Sequence, residues 1–139
     1  MRQFSLPARR RQSGFTLIEL MIVVAIVGIL AGIAFASYQW AIVKSRRSAA
    51  EVCLQQTAQL MERYYTANMT YQKAPAPANA CPDLNNFYTF DYSVQPTATV
   101  FALRATPTQL QNDTKCGVLG LDQTGARTAS LAANPADCW

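Results

Sequence analysis

With 139 residues and a formal charge of +4, the chain has room for one small domain plus appendages. It contains no histidine, which removes the commonest general base and the commonest metal ligand. There is no Ser/His/Asp set, ligand cluster or phosphate loop, so no catalytic residue, metal or cofactor is expected. The excess charge does not argue for nucleic-acid binding. Arg2, Arg9, Arg10 and Arg11 carry all of it, and acids and bases balance from Phe15 onward.

Residues 1–14 form a basic prefix that stops at Gly14. Residues 15–43 are nearly all apolar, and 20–35 carry no charge, a run about long enough to cross a hydrocarbon core as a helix. The helical pattern continues. Ala50, Leu54, Thr57, Met61, Tyr64 and Tyr65 recur at three- and four-residue steps, with Lys44, Arg46, Arg47, Glu51, Gln55, Gln59, Glu62 and Arg63 around them. One helix from Phe15 to about Asn68 is expected, on the order of 80 Å long. Its 15–43 part can sit in lipid or among other helices, while its 44–68 part needs a partner for the apolar stripe. Phe35, Tyr38 and Trp40, where the apolar run ends, suit an interfacial aromatic belt or packing between subunits.

Pro75, Pro77 and Pro82 make 69–86 a loop. Four strand-like runs follow at 87–94, 99–106, 117–123 and 126–131. In the first, Tyr88, Phe90, Tyr92 and Val94 alternate with Phe87, Thr89, Asp91 and Ser93, as in a half-buried antiparallel strand. "QPTAT" supplies one turn and "DQTGA" a tight one with Gly125 able to take positive φ; "PTQLQNDTKC" is a longer polar connection. The helix stripe needs a sheet and the sheet needs a cover. The expected class is therefore α+β, with helix 44–68 laid across an antiparallel sheet of about four strands at 87–139. The aromatic residues are expected to pack. Asp83, Asp91, Asp113, Asp122 and Asp137 are expected to be solvated or capping.

Two features of the opening segment need a chemical reason. A secretory signal is cut after its apolar stretch, yet the plausible cleavage point here, Gly14, precedes it. Cutting there removes the arginines, keeps the helix and frees an amine at Phe15. Glu19 lies inside the apolar run, and an ionised carboxylate at bilayer depth costs about 3 kcal/mol or more without a partner. The new amine, on this chain or on a neighbour, supplies one. An uncleaved signal anchor whose Glu19 reaches back to the interface is the alternative. Cys53, Cys81, Cys116 and Cys138 form no Cys-x-x-Cys pair and fit disulfides in an oxidising compartment, which places the carboxyl-terminal part outside the membrane.

The stretch "SGFTLIELMIVVAIVGILAGIAFASYQ" (13–39) closely resembles the amino-terminal signature of type IV pilins. The resemblance implies that an inner-membrane prepilin peptidase cuts after Gly14 and methylates the amine of Phe15, and that Glu19 is the acid needed for assembly. Ala36 stands where many members have proline, so the helix kink of those members is not carried over. "ERYYTANMTY", "DTKCGVLGLDQTGAR" and the terminal "DCW" look like minor pilins of the PilE type. That likeness implies a Cys116–Cys138 disulfide. Of the three pairings four cysteines allow, the remaining pair is then Cys53–Cys81, which chain reach permits.

The implied domains are leader 1–14, membrane and assembly helix 15–43, and globular pilin domain 44–139. The implied function is a structural subunit of a type IV pilus, as a minor pilin aiding fibre assembly for motility, adhesion or DNA uptake. The expected partners are other pilin subunits through helix packing, the prepilin peptidase, and the inner membrane before assembly. The carboxyl-terminal domain would be periplasmic first and part of an extracellular pilus later. A type II secretion pseudopilin and a competence DNA receptor are the alternatives. DNA is the less favoured partner, because the chain after the leader is neutral.

Overall fold

The computed structural model describes residues 14–77 and 80–139. The prefix arginines lie outside the described residues. The chain divides into two units, one ending at Tyr38 and the other spanning Gln39–Trp139. A single helix, α1 (Leu17–Asn68, 52 residues), contributes to both.

Helix α1 starts two residues after the expected Phe15, because Thr16 caps it. The Thr16 hydroxyl accepts a hydrogen bond from the Glu19 N–H at 3.2 Å, so Thr16 is the N-cap and Glu19 sits in the first turn. No proline interrupts the helix. It ends where expected. Asn68 Nδ2 donates to the Tyr64 carbonyl at 2.9 Å, and Met69 turns to φ 57 with its N–H on the Tyr65 carbonyl at 2.7 Å. In the first unit every described residue is exposed, Ile22, Ile26 and Phe35 among them, so the apolar surface has no cover among the described residues.

The second unit holds the core. Strands β1 (Tyr88–Val94), β2 (Ala102–Pro107), β3 (Leu119–Asp122) and β4 (Arg127–Ala129) form an antiparallel sheet in the order β1-β2-β3-β4. Alternation sends Tyr88 and Phe90, Leu103 and Ala105, and Leu119 and Leu121 to one face, and the register pairs Phe90 with Ala105, Ala105 with Leu119, and Leu103 with Leu121. Against this face lie Ala50, Cys53, Leu54 and Met61 of α1. Full burial of a side chain such as Leu54, Phe101 or Leu103 contributes about 1.5–3 kcal/mol. The expected α+β arrangement is therefore observed, with four strands.

The differences are local. β2 begins at Ala102, three residues later than the run starting at Thr99 suggests. Thr97 holds a turn there: its N–H donates to the Val100 carbonyl at 2.9 Å, and its hydroxyl accepts from the Val100 N–H at 3.1 Å. Tyr64 and Tyr65 are only half-buried. Tyr71 packs there instead, on Tyr65 and Phe101, and its hydroxyl donates to Glu62 Oε1 at 2.8 Å. Burial, then the Glu62 carboxylate, push its phenol up to about 12. Gly125 takes φ +80 in the β3–β4 turn, as the sequence suggests. Asp122 caps that turn by accepting from the N–H groups of Thr124 at 2.8 Å and Ala126 at 3.0 Å; its carboxyl is lowered, chiefly by the Thr124 hydroxyl.

Candidate functional site

Two regions carry the residues that matter. The first is the start of α1. Gly14, Phe15 and Glu19 are all exposed, with Phe15 84% accessible. Thr16 and Glu19 have the spacing of a capping box, a signal in "FTLIE" beyond the lone acid noted above. The helix dipole favours an acid in this turn. No cation among the described residues pairs with Glu19 within the chain.

The second region ties α1 to the sheet through the β2–β3 connection, and it corrects two expectations. Arg47 is not on the polar face of α1, and Asp113 is neither solvated nor a simple cap. Both are buried, and Arg47 Nε donates to Asp113 Oδ2 at 2.7 Å. Asp113 Oδ1 also accepts from the Cys116 N–H at 3.1 Å, and the Tyr88 hydroxyl donates to Oδ2 at 3.3 Å. Gln111, fully buried, donates through Nε2 to the Val43 carbonyl at 2.8 Å and to Tyr88 Oη at 3.1 Å. The connection thus grips α1 at two points one turn apart, Val43 and Arg47. Burial, and next the Asp113 carboxylate, raise the Tyr88 phenol far above its ordinary value, so it stays a donor. Asn112 supplies the bend at φ 43, a conformation asparagine tolerates better than most residues.

The four cysteines sit around this unit as two bridges. Cys53 of α1 is joined to Cys81, with Cα atoms 6.2 Å apart, and Cys116 to Cys138, with Cα atoms 5.8 Å apart. The first holds the proline-rich loop on the helix; the second holds the carboxyl-terminal tail beside Asp113. Among the described residues, no group of three or more His, Cys, Asp or Glu side chains comes together as a metal site. Opening the second bridge in a Cys116→Ser/Cys138→Ser chain is expected to cost about 3 kcal/mol in the chain-entropy account, read as a lowered denaturant midpoint.

Residues 36–120 match the family model described as "Type IV minor pilin ComP, DNA uptake sequence receptor", and residues 9–35 match the prokaryotic N-terminal methylation motif. This chain belongs to the type IV minor pilins. The pilin of Shewanella oneidensis superposes with a TM-score of 0.55 at 35% identity, covering 70% of this chain and 97% of that one. The non-core minor pilin PilV of Neisseria meningitidis gives 0.54 at 26% identity, over 68% and 92%. Fimbrial protein EcpC of Eikenella corrodens is 36% identical over 68% of this chain. The matched part spans only 62% of EcpC, and for a major fimbrial protein FimA of Dichelobacter nodosus, 54% identical, only 35%. Likeness to FimA covers 31% of this pilin, against 68% for EcpC. The Arg47–Asp113 latch lies within the stretch matched by the minor-pilin model.

Proposed function

We propose that this pilin is a minor structural subunit of a type IV pilus. The observation that carries the reading is the uncovered apolar start of α1, with Glu19 in its first turn and no partner for that acid among the described residues of its own chain. The segment sits in the inner membrane first, with the globular unit in the periplasm, where the two bridges can form. The prepilin peptidase cuts between Gly14 and Phe15 and methylates the new amine. Apolar burial then drives α1 among the helices of other pilins, and Glu19 meets the Phe15 amine of a neighbour. Deleting the gene is expected to reduce surface fibres and motility, and restoring it to recover both. Loss of protein secretion with fibres intact would instead make the chain a type II secretion pseudopilin.

A second reading, reception of DNA, is favoured by the description of the matching family model. Asp113 and Asp91 hold Arg47 and Arg104, whereas Lys44, Arg63, Lys73 and Lys115 are exposed without an ion-pair partner among the described residues. Binding of the chain to duplex DNA should then weaken as salt rises, with a log–log slope of about −0.9 per phosphate contacted. No binding at low salt removes this reading and leaves the structural one standing.

A further inference from the structure

A cavity of about 310 Å³ opens beside the latch, in the unit that begins at Gln39. Gln39, Trp40, Val43, Leu110, Thr114 and Lys115 line it, and Arg47 and Asp113 close its inner side as a neutral pair. Its surroundings are apolar and cationic at once: Lys115 lines it, and Lys44, outside the lining, lies next to Trp40. Trp40 and Leu110 are 55% and 71% exposed, the Lys44 ammonium lies 5.4 Å from the centre of the Trp40 ring, and Lys115 is exposed. Neither lysine has an acid partner among the described residues. With Arg47 and Asp113 cancelling, the cavity and its rim are net positive. Trp40 and Lys44 lie in α1 where the apolar run of residues 15–43 ends.

These features fit one occupant. A phospholipid presents a compact anion at the depth where a bilayer turns from hydrocarbon to water, with apolar material on one side of it. Tryptophan and lysine are side chains that settle at that depth. Lysines next to a spanning segment attract anionic lipid by about fivefold each. The Thr114 hydroxyl, the Gln39 amide and the two ammonium groups offer donors to phosphate oxygens, and Trp40 and Leu110 offer surface to the glycerol and the first methylenes.

We propose that this cavity seats the headgroup of an anionic phospholipid while the chain is held in the membrane. The inference rests on the membrane stage of the proposed function. A lipid seated there holds Trp40 and the 110–115 connection at the bilayer surface until the subunit is drawn into a fibre.

The test uses the full chain in phosphatidylcholine vesicles with or without phosphatidylglycerol. Flotation reports insertion, and acyl-spin-labelled phosphatidylglycerol and phosphatidylcholine report the fraction of each lipid immobilised by the chain. The expected result is flotation with both vesicles and a preference for phosphatidylglycerol of about fivefold or more. Lys44→Gln/Lys115→Gln should lose most of that preference. Arg63→Gln/Lys73→Gln, which removes equal charge away from the cavity, should keep it. Flotation without preference, or equal loss in both variants, overturns the headgroup seat and leaves the membrane stage intact. Failure to float with either vesicle overturns both.

Discussion

Asp113→Ala is expected to lower the stability of the Gln39–Trp139 unit by about 3–5 kcal/mol. The reason is the uncompensated partner. Arg47 is 5% exposed, and without Asp113 its guanidinium is left buried with no anion, while the Cys116 N–H and the Tyr88 hydroxyl lose an acceptor. Against a typical domain stability of about 5–15 kcal/mol, that loss decides whether the unit stays folded at growth temperature. Arg47→Met alone should also be costly, because it buries a lone carboxylate. The double variant Arg47→Met/Asp113→Leu should recover part of the loss, since replacing both charges by apolar groups removes the desolvation penalty. Asp91→Asn at the exposed Arg104–Asp91 pair is the control, and should move the midpoint little. Thermal unfolding of the detergent-solubilised chain, followed by circular dichroism, gives all four values. An Asp113→Ala midpoint as close to wild type as that of Asp91→Asn would show that the latch holds nothing.

The second large effect concerns Glu19. Glu19→Ala is expected to leave leader removal intact and to cut the chain's share in sheared fibres by about tenfold or more. The proposed assembly moves the first turn of α1 from the bilayer edge into a packed helical interior, where an N-methylated amine on a neighbour needs a counter-charge. A deficit of 1.4 kcal/mol is already a factor of about ten, and an unpaired charge in an apolar setting costs at least twice that. Glu19→Asp, one methylene shorter, should fall between the two. Quantitative blotting of the fibre and membrane fractions reads the result. Wild-type amounts of Glu19→Ala in the fibres would show that the acid is not needed for assembly.

The same two residues mark how far the sequence could be read. Glu19 stood out because local composition is enough: one acid in a run without other charges has to be accounted for. The helix was legible for a related reason. The spacing of Ala50, Leu54, Thr57 and Met61 is a property of neighbours in sequence, and so are the period-two strands and the Gly125 turn. Arg47 and Asp113 were not legible. Each sits among polar residues of the kind that usually face water, and what buries them is a partner 66 residues away. Only a fragment of that contact is local: Asp113 lies three residues before Cys116, the spacing of a carboxylate that accepts a backbone N–H. Gln111 reads the same way, as loop polarity, until the Val43 carbonyl comes within reach. The strand starts drifted by a few residues because Thr97 could close its own turn before β2 began.

Mass spectrometry of sheared surface fibres decides whether the chain is a processed minor subunit. The expected result is a peptide that begins at N-methylated Phe15, present in small amount beside a more abundant pilin. Fibres without the chain, together with a membrane-bound form that still carries residues 1–14, would contradict it.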